Sequence, residues 1–292
     1  MKKITFINGK FVNHNKAFIN VEDRGLLFSD SIYELISVFD KKIIDLDLHL
    51  KRLFVSLKKI KLNPNFSKNK IKSVLKKLSD LNIKNNGYIY IQVTRGVAER
   101  KHEFPDKYHP STIIFTKHLK INKEIYEKGV KIITIPDIRW LRRDIKTTSL
   151  LPNVLSKQLA VEKNAFESWL IDNGNITEGS ASNAWIIKNS NTIVTHPANN
   201  KILRGITRDT IIKILKKNGF IIKEKPFNLI EAKNAKEAFL TSSTLSVLPV
   251  VKIDNYNIAN GKPGDITKKI INLYNDYISK NKTTLYKELK IA

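Results

Sequence analysis

The stretch "DIKTTSLLPNVL" contains a lysine, Lys146, whose surroundings differ from those of most other basic residues in the chain. The helical spacing of the leucines and valine that follow predicts an amphipathic helix with an interior apolar face. This face would consist of Leu150, Leu151, Val154, Leu155 and Leu159. Because desolvation favours a neutral, nucleophilic amine, Lys146 is a candidate for Schiff-base chemistry. The same spacing also fits a lysine at a helix start whose ammonium group extends into water.

The segment "LRGITRDTIIKILKK" places Gly205 directly before a strongly amphipathic helix. The first N–H groups of a helix lack partners within the helix and lie at the positive end of its dipole, so they can bind a phosphate. A hydroxyl from Thr207 would add a further donor. An ordinary threonine N-cap has the same local pattern.

Two further segments carry polar groups suited to binding a small molecule. In "GNITEGSASN", Glu178 follows a hairpin turn and is either a surface residue or a carboxylate that holds a proton on a heterocyclic nitrogen. In "RGVAERKHEF", Arg100 and His102 are two apart in a long polar loop and could bind one carboxylate together. In so basic a chain this spacing can also be coincidental. A lysine, a phosphate site and a carboxylate for a ring nitrogen are the parts that a pyridoxal phosphate site needs.

Six blocks of sequence carry a resemblance to a known family. They are "DRGLLFSDSIYE", "VTRGVAERKHEFP", "DIKTTSLLPNVLSKQLA", "ITEGSASNAWIIK", "THPANNKILRGITRD" and "FLTSSTLSVLPV". With these blocks the chain resembles the class IV (fold type IV) pyridoxal-phosphate aminotransferases, most closely the bacterial D-amino acid aminotransferases. The resemblance runs from "FINGKFV" to the last helix. It implies transfer of the amino group of D-alanine to 2-oxoglutarate, which yields pyruvate and D-glutamate, a peptidoglycan precursor.

The resemblance also implies roles for individual residues. Lys146 would bind pyridoxal 5'-phosphate as a Schiff base and then move the α-proton of the substrate. Glu178 would keep the pyridine nitrogen protonated, and Leu203 would pack against the ring. The phosphate would be received by Arg52, Ile206, Thr207 and Ser243.

The substrate carboxylate would be bound by Tyr33, Arg100 and His102. In the D-specific enzymes the arginine and histidine reach in from the second subunit, so a homodimer is implied. Branched-chain L-amino acid aminotransferases and aminodeoxychorismate lyases, the alternative within the family, resemble this loop poorly. The chain departs from the family pattern at Ala181, where "EGSSSN" has a serine, and at Ser31, where "FGDGVYE" has a glycine. These departures bear on substrate range and leave the chemistry in place.

Two α+β or α/β domains are expected, because strands followed by helices occur twice. A smaller domain would span 1–118, a linker 119–123, and a larger domain with the cofactor lysine 124–292. An Asn8-Gly9 hairpin opens the first domain. Helices are predicted over 46–60 with Asp47 near its start as a cap, over 67–81, from near 149, from about 206 and over 264–279. The lysine-rich end, 279–292, is expected to fray.

Composition limits the classes of protein that fit. There is no cysteine, which excludes disulfides and thiolate metal sites, and no metal site is expected. The opening apolar run is too short for a signal peptide, and no run approaches the roughly 20 residues of a membrane span, so we expect a cytoplasmic protein. The net charge of +25 is spread over helices such as "KIKSVLKKL". This spread of charge argues against nucleic acid as a partner, and no membrane partner is expected. The resemblance implies amino acids and 2-oxo acids as the partners.

Overall fold

A computed structural model of the chain describes residues 3–280. The chain divides into two compact units, Met1–Lys120 with Ile145–Ser149, and Ile121–Asp144 with Leu150–Ala292. Residues 145–149, which the sequence groups with the larger domain, lie with the first unit because their backbone bonds to residues 31–33. The linker at 119–123 stays a prediction. Most of the end that was expected to fray, 281–292, lies outside the described residues.

The first unit is built on a six-stranded antiparallel sheet. Its strands are β1 (Ile4–Ile7), β2 (Lys10–Asn13), β3 (Ser31–Phe39), β4 (Lys42–Ile43), β5 (Gly87–Thr94) and β6 (Ser111–His118). Its helices are α1 (Arg24–Phe28), α2 (Leu46–Lys59) and α3 (Lys68–Asn82). The strand order is β2-β1-β6-β5-β3-β4, and the predicted Asn8-Gly9 hairpin joins the first two strands.

The core of the first unit forms because both long helices and the sheet carry apolar residues at matching periods. Leu50, Leu53 and Leu57 of α2 are buried with one face of β3, as the spacing predicts. The predicted cap at Asp47 is wrong. Asp45 is the N-cap residue of α2. Asp47 lies in the first turn, where its exposed carboxylate forms ion pairs with Lys68 and Lys72 of α3.

The second unit has a ten-stranded mixed sheet. Its strands are β7 (Val130–Pro136), β8 (Glu167–Asp172), β9 (Asn175–Gly179), β10 (Asn183–Ile187), β11 (Thr192–Thr195), β12 (Ile221–Glu224), β13 (Phe227–Asn228), β14 (Glu237–Ser242), β15 (Ser246–Ile253) and β16 (Tyr256–Asn257). Its helices are α4 (Glu124–Lys128), α5 (Leu151–Glu162), α6 (Ile206–Lys217), α7 (Leu229–Lys233) and α8 (Asp265–Lys280). The order is β12-β11-β10-β14-β15-β7-β8-β9-β13, with β16 paired to β15. Strand β7 is parallel to both of its neighbours.

The expected orientation of α5 is wrong. Leu151, Val154 and Leu155, predicted to face the interior, are 69%, 58% and 54% exposed. The buried face of the helix instead carries the small residues Ser156 and Ala160, which allow the helix backbone to approach β7 and β8 closely. The apolar wall expected beside Lys146 is therefore not an interior surface of this unit.

Among residues 3–280, each helix is too short or too polar to cross the apolar part of a bilayer.

Candidate active site

Lys146 lies beside β3 of the first unit. The backbone carbonyl of Lys146 accepts a hydrogen bond from the N–H of Tyr33 at 3.0 Å, and Thr147 pairs with Ile32. The Nζ atom of Lys146 is 4.2 Å from the centre of the Tyr33 ring, which is stacked on the ring of Tyr90. The structure thus brings the predicted Schiff-base lysine and the predicted substrate tyrosine together, with the amine on an aromatic face.

The two residues of the R-x-H pair contact the same ring. The guanidinium of Arg100 lies 5.3 Å from the centre of the Phe28 ring, and the ring of His102 lies 5.4 Å from it. Both side chains are exposed. These contacts are consistent with the expectation that both side chains point the same way. That the two residues bind a carboxylate stays a prediction.

Arg52 lies on α2, where it forms a bidentate pair with Glu34 of β3. Its Nε donates to Oε1 at 2.7 Å and its Nη2 to Oε2 at 2.8 Å, and His49 Nδ1 is 2.8 Å from Oε2. Burial alone would raise the pKa of Glu34, but Arg52 and His49 lower it to about 2. Burial lowers the pKa of His49. Glu34 thereby fixes the guanidinium that was predicted to receive the phosphate.

Glu178 lies on β9 of the second unit, and its buried carboxylate has three donors. Oε1 accepts from Arg139 Nη1 at 2.5 Å and from the N–H of Leu203 at 2.9 Å, and Oε2 accepts from Asn183 Nδ2 at 2.9 Å. The same amide group of Asn183 donates to the carbonyl oxygen of Leu203 at 3.0 Å. The alternative of a solvent-exposed turn residue is therefore wrong, because Glu178 is only 4% exposed.

The charge on Glu178 is set by two opposing effects. Burial raises the pKa of Glu178 above its usual value, while the positive charge of Arg139 and the N–H of Leu203 lower it. Burial would by itself lower the pKa of Arg139, but the negative charges of Glu178 and Asp137 raise it. Asp137 binds Arg139 through both of its carboxylate oxygens, at 2.8 and 2.9 Å. Arg139 is therefore a fixed cation beside the carboxylate.

The start of α6 presents the second predicted anion-binding group. Gly205 is its N-cap residue and has no side chain to bond the N–H groups of the first turn. A Cβ atom on Gly205 would lie 2.1 Å from Asn183 Oδ1, so the close approach of these segments requires glycine. The hydroxyl of Thr207 lies in the first turn. This combination of backbone N–H groups, a hydroxyl and a glycine cradle fits the phosphate of pyridoxal phosphate.

Ser243 and the two departures from the family pattern lie in different environments. Ser243 is half-buried in the turn between β14 and β15. Ala181 is exposed between two serines that bind the buried carboxylate of Glu167, so the missing hydroxyl faces outward. Ser31 is buried and shares a 2.5 Å hydrogen bond with Thr148, two residues after the lysine.

Several residues that hold the predicted side chains in place are not apparent from the sequence. Arg139 is one of three arginines in "DIRWLRRDIK", and nothing in their spacing separates it from the other two. Glu34 lies in a strand whose neighbours are apolar, and a charge within an apolar run is the signal that could have identified it. Asn183 follows "EGSAS" and could have been inferred only by analogy with the family.

The family described as amino-transferase class IV matches residues 31–253. The chain belongs to the class IV aminotransferases. It is therefore a transaminase that uses pyridoxal phosphate, and the predicted family, enzyme class and cofactor are confirmed.

Curated relatives within this family match the chain over most of its length. A D-alanine aminotransferase of Staphylococcus aureus (strain N315) is 42% identical over 279 residues, which cover 95% of this chain and 98% of the relative. A D-alanine aminotransferase of Bacillus licheniformis is 40% identical over 268 residues, covering 92% and 94%.

Solved structures of class IV aminotransferases share the fold. A branched-chain amino acid aminotransferase of Escherichia coli has a TM-score of 0.85 at 23% identity and covers 96% of this chain and 94% of its own. The enzyme of the archaeon Thermoproteus uzoniensis, with norvaline, has a TM-score of 0.88 at 21% identity and 98% coverage of both chains. The two-sheet fold type IV architecture is confirmed.

Proposed function

We propose that this aminotransferase acts on D-amino acids and transfers the amino group of D-alanine or a similar substrate to 2-oxoglutarate. The observation that carries the proposal is the 40–42% identity to D-alanine aminotransferases over 92–95% of the chain. The products, pyruvate and D-glutamate, would connect the reaction to peptidoglycan synthesis. The absence of cysteine suits a reducing cytoplasm, where we place the reaction.

Lys146 has two tasks in this proposal. Its Nζ would hold the cofactor, and as a free amine it would accept the α-proton of the amino acid and return a proton during amino transfer. When bound, pyridoxal phosphate supplies an electron sink for the carbanion left by that proton. Tyr33, whose ring contacts Nζ, orients the amine.

Glu178 and the start of α6 bind opposite ends of the cofactor in the proposal. The Glu178 carboxylate would hold a proton on the ring nitrogen, and the positive charge of Arg139 favours the ionised form of the carboxylate. Leu203, whose N–H fixes the same carboxylate, packs against the ring. The phosphate is received by Ile206, Thr207, Ser243 and Arg52.

D-specificity is assigned to Tyr33, Arg100 and His102, which bind the substrate carboxylate. The position of that carboxylate relative to the amine of Lys146 determines which hand of amino acid presents its α-proton. Packing of Arg100 and His102 on one ring supports a shared ligand, because it holds two side chains that can donate hydrogen bonds close together.

A homodimer is part of the proposal. It is supported by the exposed apolar residues of α5, since monomeric proteins rarely expose a contiguous apolar surface of this kind without a partner. In a dimer the R-x-H pair of one chain would serve the second subunit. We propose no role for nucleic acid, membrane or metal.

Separate incubations with D-alanine and with L-leucine, each with 2-oxoglutarate, test the substrate class. We expect pyruvate from D-alanine and little keto acid from L-leucine. Keto acid formed from L-leucine and not from D-alanine would instead support a branched-chain L-amino acid aminotransferase. An aminodeoxychorismate lyase would release pyruvate from aminodeoxychorismate without 2-oxoglutarate.

Borohydride trapping tests the assignment of the lysine. We expect reduction of the loaded enzyme to attach the cofactor to Lys146, as mass spectrometry of peptides would show, and Lys146→Ala to lose both adduct and turnover. Lys128→Ala is the matched control, because Lys128 is exposed and pairs only with a nearby surface glutamate on α4 in the described contacts. An adduct at another lysine would contradict the assignment.

A further inference from the structure

We propose that Arg24 is a positioning residue that holds the segment carrying Arg100 and His102 and thereby sets the affinity for the substrate carboxylate. The inference rests on the proposed function of those two residues. It adds to them a buried arginine of α1, a helix that the sequence patterns do not predict.

The guanidinium of Arg24 binds three oxygen atoms at once. Its Nη1 donates to the carbonyl oxygen of Lys101 at 2.5 Å, and its Nη2 donates to that of His102 at 3.3 Å. Its Nε donates to Asp30 Oδ2 at 2.9 Å. Because Arg24 is only 3% exposed, these charge-assisted bonds are shielded from water, which strengthens them. Two successive carbonyls of the loop are therefore fixed to α1.

Asp30, the carboxylate that Arg24 binds, is itself held by other residues of the first unit. Asp30 accepts two further hydrogen bonds from Arg95, at 2.7 and 3.0 Å. The backbone N–H of Arg24 donates to the carbonyl oxygen of Gly96 at 2.9 Å. Arg24 therefore cannot follow a displaced loop without breaking bonds to its own surroundings.

The segment that Arg24 holds has no helix or long strand of its own. Residues 95–110 connect β5 to β6, and the side chains of 99–104 are exposed. Arg24 lies on the Phe28 ring at 4.7 Å, the same ring that Arg100 and His102 contact. Without Arg24 the segment would sample more conformations, and binding a carboxylate would have to order it again.

Arg24→Lys is the test variant, since it keeps a positive charge beside Asp30. A lysine ammonium lacks the planar fork that reaches two carbonyls and a carboxylate together. We expect KM for D-alanine to rise about tenfold, as expected for loss of a charge-assisted hydrogen bond, with kcat within about threefold. The absorbance spectrum and the affinity for pyridoxal phosphate should stay as in the wild type.

A double-mutant cycle separates positioning from a general structural role. In a background of Arg100→Ala with His102→Ala, we expect Arg24→Lys to raise KM little further, because the groups that it positions are gone. A second tenfold rise in that background would show that Arg24 acts elsewhere and would overturn the proposal.

Hydrogen exchange of the cofactor-free protein gives a readout apart from activity. We expect amides of 99–104 to exchange faster in Arg24→Lys while those of β5 keep their protection. Lys101→Gln is the matched control, because it changes an exposed side chain and retains the carbonyl that Arg24 binds. Unchanged exchange in Arg24→Lys would overturn the proposal.

If Arg24→Lys does not fold, Phe28→Leu takes its place, because it removes the ring that Arg24, Arg100 and His102 share. We expect Phe28→Leu to raise KM for D-alanine about threefold in the wild-type background and little in the background of Arg100→Ala with His102→Ala. If Arg100→Ala with His102→Ala has the wild-type KM, the substrate role of the loop is wrong. The affinity claim then falls, while faster exchange in Arg24→Lys would still show that Arg24 holds the segment.

Discussion

At the scale of single residues, charge and burial determine what Glu178 can do. Its carboxylate is removed from water, which raises its pKa, and the positive charge of Arg139 at 2.5 Å opposes that rise. Arg139 is in turn held by Asp137, which also lies 3.3 Å from Arg143. The sequence identifies the carboxylate through the family motif but not the cation that pairs with it. The pairing follows from the fold, since the two residues are 39 positions apart.

Replacing Arg139 with methionine should expose this dependence. Without the cation, the pKa of Glu178 rises further, because burial then acts without the opposing positive charge, and a larger fraction of the carboxyl groups is protonated at a given pH. A protonated carboxyl group would hold a ring-nitrogen proton less strongly. We expect kcat at pH 7 to fall about tenfold or more and to recover as pH rises and Glu178 ionises. The measurement is kcat between pH 6 and 10. Arg142→Met is the control, since Arg142 is half-exposed; a wild-type pH profile for Arg139→Met would contradict the prediction.

At the scale of elements, the sequence predicts helices and strands better than it predicts their surroundings. The apolar periods of α2 and α3 predict buried faces correctly, because each helix packs on its own sheet. On α5 the same kind of pattern predicts the wrong orientation, since periodicity shows that a face is apolar but not what covers it. Strand β15 lies at the centre of its sheet although it contains Pro249, and a proline within an apolar run argues against a central strand, so the sequence pattern alone does not predict it.

The exposed apolar face of α5 should determine the oligomeric state. Leu155→Glu places a charge in this face, and a charge buried without a partner opposes association. We expect light scattering to give the mass of a dimer for the wild type and of a monomer for the variant. Ile221→Glu is a suitable control, because Ile221 is half-exposed on the edge strand β12 of the same unit. A monomeric wild type, or a dimeric Leu155→Glu, would contradict the prediction.

The ion pair of Glu34 with Arg52, which links β3 to α2, should determine how the stability of the fold responds to acid. The pKa of Glu34 in the folded protein is lowered from 4.5 to about 2. Its contribution to the free energy of unfolding is therefore fully present above about pH 4.5 and is lost as the pH falls toward 2. That difference corresponds to about 3 kcal/mol. Protonation of His49, whose pKa is also lowered, acts in the same direction.

Glu34→Gln removes the titrating group and should flatten this part of the stability curve. We expect the free energy of unfolding to change less between pH 6 and 3 than in the wild type, and to be lower at pH 6 because Arg52 loses its charged partner. Urea denaturation at several pH values is the measurement. Asp47→Asn, which affects an exposed carboxylate on the same helix, is the control. An acid response as steep as that of the wild type would show that other groups carry it.

At the scale of the whole molecule, the net charge of +25 raises the question of an anionic partner. The fold distributes lysines over separate helices, including α2, α3 and α6. Several are paired locally, such as Lys72 with Asp47 and Lys188 with Glu231. Charge arranged in this way attracts polyanions over a distance without forming a specific surface.

Duplex DNA should therefore bind weakly and without consequence for catalysis. A net positive charge promotes association at low ionic strength. We expect lysines on separate helices to contact few phosphates together, so the dependence of affinity on salt should be shallow. We expect retention on immobilised DNA at about 20 mM salt and its loss by about 150 mM, where screening acts over about 8 Å. Transamination at 150 mM salt should be unchanged by added DNA. Retention at that salt with a steep salt dependence, or inhibition by DNA, would show that the lysines form a continuous binding surface after all.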